Sequence, residues 1–144
     1  ESSPVGDARR DAYDAVMREA GLPTEYIIVP DQLRASCSTA IQQYVQDHGL
    51  PEGIFCHNDE MAIGTYHGLR RLGVRVPDDV ALVGCDGIED MEYLEVPLST
   101  VRQPLEQMCR LACAFLFARI AEPDREKQGI VLQPELVIRE SSRQ

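Results

Sequence analysis

Apolar positions along this chain change period repeatedly, and each change marks an element. A helix is predicted over residues 8–20, where Ala12, Ala15, Val16 and Ala20 form one stripe, Asp7 caps the start and Gly21 stops it. The run Tyr26, Ile27, Ile28, Val29 reads as a short buried strand, turned by Pro30 and Asp31. Ala40, Ile41, Tyr44 and Val45 return to helical spacing, ending near His48 and Gly49. Residues 53–56 are the next strand, followed by a helix carrying Met61, Ala62, Leu69 and Leu72 to Gly73. Residues 80–84 are almost continuously apolar, as a strand covered on both faces requires. A polar loop with a short helix near 90–94 precedes an extended stretch at 98–103. Pro104 opens a helix through Ile120, and two extended pieces, 130–132 and 135–138, flank Pro134. The SSRQ end, 141–144, is expected to fray. Strand and helix alternate, which predicts an α/β fold with a mainly parallel sheet flanked by helices.

The 104–120 helix stands out. Leu105, Met108, Cys109, Leu111, Cys113, Phe115, Leu116, Phe117 and Ile120 surround most of its circumference. A helix apolar nearly all round is buried on several sides, so it is expected to pack deep in this chain, in an unusual position, or against another chain.

The densest chemistry lies at FCHNDEMAIG, residues 55–64, read as a buried strand running into a helix N-terminus. Asn58, Asp59 and Glu60 sit at that corner, and VALVGCDG ends a second strand in Asp86. Ligands of parallel α/β sheets bind outside the carboxyl ends of the strands. Two such ends carrying hydrogen-bonding side chains predict a pocket for a small polar molecule.

Composition narrows the partners. The 144 residues carry 14 Lys and Arg against 24 Asp and Glu, a net charge of −10. Affinity for phosphate backbones comes from Lys and Arg, and Arg70-Arg71 is a short pair on one helix; the chain is not expected to bind nucleic acid by itself. No apolar run approaches the ~20 residues of a membrane span, and the first residues lack the regions of a signal peptide. Together with five unpaired-looking cysteines this suggests a cytoplasmic setting. Cys109 and Cys113 are read as core rather than metal ligands, since no nearby pair completes a zinc set. The histidines (His48, His57, His67) show no triad or metal spacing, nucleophile motifs are missing, and Gly84 and Gly87 make no dinucleotide turn. Neither catalysis nor a cofactor is indicated.

Four segments in order, HNDEMAIG, GLRRLGVRVPDDVALVGCDG, PLSTVRQP and LQPELVIRES, resemble the C-terminal half of a LacI/GalR-family transcriptional regulator. The resemblance spans about residues 2–142. It implies a type I periplasmic-binding-protein-like architecture of two lobes, with a DNA-binding headpiece and most of the first lobe lying outside this chain. By that resemblance residues 1–102 form the second lobe, 103–133 are a crossover helix and strand of the first lobe, and 134–144 return to the second. The long apolar helix would then belong to the absent lobe. A homodimer formed through the 59–72 helix and the 85–100 loop is implied, with DNA contacted only through the headpiece.

The resemblance also assigns roles. Asn58 and Asp86 align with ligand-contacting positions, the amide suiting a hydroxyl and the carboxylate bridging two hydroxyls. Arg9 aligns with an arginine that reaches into the cleft, with Arg10 competing for its register. Gln103 falls at the hinge and is a weaker candidate, Gln32 weaker still. Asp59 is taken as the helix cap and Glu60 as a helix-start charge. The chain has Cys85 where the family usually has an aromatic, Gly87 for an Asp and Ala12 for a Gly. The implied function is sensing of a small polar effector, a sugar or sugar derivative. The alternative is a periplasmic sugar-binding protein of an uptake system, which the five cysteines, VPDDVALVG and LSTVRQP disfavour.

Overall fold

The computed structural model describes residues 8–143. Helix α1 (Ala8–Glu19) and helix α2 (Arg34–His48) precede strand β1 (Gly53–Phe55) and helix α3 (Asp59–Arg71). Strand β2 (Ala81–Asp86), a 3-10 turn (Glu89–Glu92) and strand β3 (Ser99–Arg102) follow. Helix α4 (Leu105–Ala121), strand β4 (Glu135–Val137) and a closing 3-10 turn (Glu140–Ser142) complete the chain. The sheet order is β1-β2-β3-β4. β1, β2 and β3 are parallel, with Ile54 opposite Leu82 and Gly84 opposite Thr100, and β4 returns antiparallel with Val101 opposite Leu136. The mainly parallel α/β reading is thus correct.

The core lies between this sheet and the α2–α3 pair. Ile41, Leu69, Val80, Leu82, Met91 and Leu98 are fully buried there. Glycine lets the two helices touch backbone to backbone. A Cβ on Gly64 would fall 2.3 Å from the Arg34 carbonyl oxygen, and one on Gly68 would fall 2.4 Å from Ile41 Cγ2. Any larger side chain at either site forces the helices apart.

The remaining expectations fare less evenly. Residues 26–29 form no strand; Ile28 is 81% exposed and only Ile27 leans on the core. A ladder needs a partner, and β1, the nearest edge, offers just three residues with Phe55 itself 42% exposed. β1 is therefore an edge strand, not a buried one. Residues 130–132 likewise pair with nothing.

Ser141 and Ser142, expected to fray, are pinned instead. Ser141 is fully buried; its hydroxyl donates to the Leu82 carbonyl at 2.5 Å and accepts from Ser99 N–H at 2.8 Å. Arg139 donates to the Leu98 carbonyl at 2.7 Å, and the Ser99 and Ser142 hydroxyls meet at 2.7 Å. These contacts lie 41 to 59 residues apart in sequence, so no local pattern announces them. Gln144 lies outside the described residues.

Helix α4 does not pack deep in this chain, one of the arrangements expected of it. It has no buried residue, and Leu116, Phe117 and Ile120 are 58–68% exposed. Among the described residues its apolar circumference is covered only in part, with Leu111 and Phe115 half-buried. A hollow lined by Gln103, Met108, Phe115, Ile130 and Pro134 separates it from the 129–134 segment. Cys109 and Cys113, read as core, are exposed as a consequence; Cys37, Cys56 and Cys85 are buried, and all five are free thiols.

Burial pushes the Cys56 thiol up from 9.0 to about 12, with the Thr65 hydroxyl at 3.6 Å opposing weakly. The folded chain thus holds this proton more tightly than the unfolded one. Its contribution to stability is full below pH 9 and is lost as the pH rises from 9 through about 12. Urea midpoints should fall over that window, less so in Cys56→Ala. Ellman's reagent at pH 8 should label Cys109 and Cys113 rapidly, and the other three only after denaturation.

Candidate functional site

Helix α3 begins at Asn58, whose backbone is extended (φ −147°, ψ 172°) and whose Oδ1 accepts from Met61 N–H at 2.8 Å. Asn58, not Asp59, is the cap. A cap residue stands just outside the helix with its side chain folded onto the first turn; Asp59 is one residue in and points the other way. It is 1% exposed and reaches across to the sheet. Its Oδ2 accepts from Gly87 N–H at 2.7 Å and Ile88 N–H at 2.8 Å, and its Oδ1 accepts from the Thr100 hydroxyl at 2.7 Å. A carboxylate in the first turn also meets the positive end of the helix dipole. Glu60 keeps its place as a helix-start charge and pairs with Arg34 at 2.6 and 2.8 Å, which holds its carboxyl below the usual range.

The turn that Asp59 grips has unusual backbone. Asp86 has φ 129° and Gly87 φ 82°. A non-glycine residue at such an angle costs of order 1–3 kcal/mol and persists only where its surroundings hold it. Here the two amide bonds to Asp59 do so. Gly84, one turn of the pleat earlier, leaves room for them: a Cβ there would lie 2.3 Å from Asp59 Oδ1.

Three of the sequence-predicted residues meet on the strained carboxylate. Arg9 Nη2 donates to Asp86 Oδ1 at 2.8 Å, and Gln103 Nε2 donates to the same oxygen at 2.6 Å. Arg9 Nη1 also donates to the His57 carbonyl at 2.9 Å, tying α1 to the end of β1. Arg9 therefore takes the inward register, while Arg10 lies 4.8 Å over the Tyr26 ring. Asn58, the fourth, follows His57 directly and donates from Nδ2 to Gln32 Oε1 at 2.7 Å. Gln32 thus contacts the cluster more closely than its weak sequence signal suggests. Arg9 and Asp86 are 31% and 34% exposed, open to a ligand while already paired. Cys85 lies beside them, its thiol raised by burial and lowered in part by Arg9.

Sequence reasoning did not single out Thr100 or the structural role of Asp59. The signal for Thr100 was a hydroxyl inside a short strand, which is common; only the parallel register brings it to Asp59. Among the described residues no group of acidic, histidine and cysteine side chains is placed to hold a metal ion, and no helix is long and apolar enough to cross a membrane.

Comparison with known proteins gives the family. Residues 1–142 match the family model of the periplasmic binding protein-like domain. The chain is 35% identical over 135 residues to the HTH-type transcriptional repressor PurR of Photobacterium profundum, covering 92% of this chain and 40% of that protein. It is 34% identical over 136 residues to the ribose operon repressor of Escherichia coli, covering 93% and 41%. A LacI-type transcription regulator from Bifidobacterium animalis superposes with a TM-score of 0.90 at 28% identity, over 99% of this chain and 53% of that one. The chain belongs to the periplasmic-binding-protein-like effector domains of LacI-family regulators. A lactose complex of a LacI-family regulator from an Arthrobacter species matches with a TM-score of 0.86 at 28% identity, over 98% of this chain and 51% of that chain. This LacI-type chain spans about two fifths of the length of the curated relatives it matches. The superposition over 99% of the chain takes in α4, so that helix holds a family position although the described residues leave it largely exposed.

The Asp59 carboxylate is the strut of the site, whereas Glu60 is a solvated ion pair. Asp59→Asn should therefore lower stability by about 1–3 kcal/mol, and Glu60→Gln by less than about 1 kcal/mol. Urea unfolding of the two variants measures the difference.

Proposed function

We propose that this chain is the effector-sensing part of a DNA-binding transcriptional regulator, acting in the cytoplasm. The observation that carries the reading is the meeting of Arg9 and Gln103 on Asp86, beside Asn58, at the carboxyl ends of parallel strands. Such strand ends are where α/β sheets bind ligands. Support comes from relatives that are named as transcriptional repressors and from LacI-family structures described with lactose or ribose bound.

In this reading a sugar or sugar derivative lies between two lobes, with Asn58, Asp86, Arg9 and Gln103 on one wall. Residues 1–102 and 134–144 belong to the second lobe, and 103–133 to the first, whose remaining surface covers α4. The ligand acts by preferring one lobe arrangement, since it shifts an equilibrium only by its differential affinity for the two states. The outer side of α3 and the 85–100 loop form a homodimer, which sets the spacing of two headpieces on an operator.

In the full-length protein, Asp86→Ala should abolish the effector's influence on operator binding while thermal unfolding remains cooperative. Operator binding by fluorescence anisotropy, with and without effector, measures this. An effector affinity equal to that of the parent protein refutes the assignment of Asp86.

A further inference from the structure

We infer that a clasp of Tyr13, Tyr26, Tyr44 and Glu25, one helical turn from Arg9, positions the Arg9 guanidinium on Asp86. This rests on the reading of Arg9 and Asp86 as part of the effector site.

Helix α1 has no buried residue. Ala12, Ala15, Val16 and Ala20, the apolar stripe expected to face inward, are all exposed. Its half-buried residues are instead Arg9, Tyr13, Asp14 and Met17. Arg9, Tyr13 and Met17 follow one another at intervals of four and share a face. With an arginine and a tyrosine on that face, directional contacts rather than an apolar seam set where α1 lies along its axis.

Those contacts start from the core. The Tyr44 ring on α2 packs against it and stacks on His48 with centroids 4.8 Å apart. The Tyr44 hydroxyl donates to Glu25 Oε2 at 2.6 Å. The Glu25 backbone in turn grips Tyr13 twice. The Tyr13 hydroxyl accepts from Glu25 N–H at 3.1 Å and donates to the Glu25 carbonyl at 3.3 Å. Tyr26 adds a second hold. Its ring meets that of Tyr13 edge-on at 5.6 Å, and the Arg10 guanidinium lies over it at 4.8 Å. Its hydroxyl donates to Asp14, one turn of α1 beyond Arg10. The segment carrying the clasp is itself anchored: Ile27 leans on the core, and Gln32 Oε1 accepts from Asn58 Nδ2 at 2.7 Å.

The path thus runs from the core through Tyr44 and Glu25 to Tyr13, and one turn back along α1 to Arg9. There the guanidinium spans the His57 carbonyl at 2.9 Å and Asp86 Oδ1 at 2.8 Å, against the Cys85 thiol. A shift of α1 by about 1.5 Å, one residue's rise, is enough to break both bonds. Tyr13 and Tyr26 are therefore positioning residues, acting on the site through Arg9 without touching a ligand.

The clasp hydroxyls can be removed without disturbing the core, since Tyr13 is half-buried and Tyr26 is 38% exposed. Full-length protein is compared as parent, as Tyr13→Phe/Tyr26→Phe, as Arg9→Ala and as the triple variant. Iodoacetamide labelling, followed peptide by peptide, should modify Cys85 roughly threefold faster or more in the double variant, because α1 opens locally. Cys37 and Cys56, also buried, should keep their parent rates. In Arg9→Ala the Cys85 rate should already be raised, and the two Phe substitutions should add nothing to it. Calorimetry with ribose and lactose, the sugars bound in similar structures, reads the effector side. Whichever sugar the parent binds should bind roughly fivefold more weakly in the double variant. It should bind no more weakly to the triple variant than to Arg9→Ala.

An unchanged Cys85 rate, an equal gain at Cys37 and Cys56, or a gain that persists in the Arg9→Ala background overturns the inference. So does a sugar affinity that Arg9→Ala weakens and the two Phe substitutions leave alone. A parent protein that binds neither sugar, or an Arg9→Ala variant that binds as tightly as the parent, removes the effector-site reading instead. The Cys85 rates then decide the clasp by themselves.

Discussion

A single buried carboxylate holds this structure's functional edge together. Asp59 is the first helical residue of α3, yet its oxygens are bonded to the turn after β2 and to a hydroxyl of β3. Burying an ion is unfavourable unless its lone pairs are satisfied, and here three donors and a helix N-terminus satisfy them. The result is that helix, turn and strand are tied together through one side chain. Asp86 is thereby kept at a backbone angle it would not adopt alone, and its carboxylate is offered where Arg9 and Gln103 can reach it.

That strut depends on absent side chains as much as on present ones. Gly84 yields space for Asp59, and Gly64 and Gly68 let α2 settle onto α3. Close packing of this kind leaves little slack, so the α2–α3 side of the sheet is a rigid platform. The opposite character appears at α1 and α4, neither of which has a buried residue. α1 is tied to the platform by polar contacts, chiefly those of Arg9. α4 is an apolar helix that the described residues leave largely exposed. Rigidity on one side and open surface on the other suit the proposed reading of this chain as one wall of a two-lobed cleft.

Site residues come from distant parts of the chain. Arg9 and Asp86 are 77 positions apart, Gln32 and Asn58 are 26 apart, and Gln103 joins from the far end of β3. Each element end is individually ordinary. Their convergence comes from the parallel order of β1, β2 and β3, which brings successive carboxyl ends to one edge.

What the sequence determined by itself was periodic or local. The helices, the three parallel strands and the choice of Asn58 and Asp86 as candidate site residues follow from hydrophobic spacing, helix-start chemistry and a four-segment resemblance. Tertiary structure decided the rest, because those questions turn on which groups meet across long separations. Whether Asn58 or Asp59 caps α3 depends on where the sheet's amides lie. Whether Arg9 or Arg10 faces the cluster depends on which of them α1 brings to the His57 carbonyl and Asp86. Residues 26–29 have strand composition but lack a ladder partner, and Ser141 and Ser142 have tail composition but are pinned by Leu82 and Ser99. Apolar spacing reports that a surface seeks cover; only the fold decides whether this chain provides it.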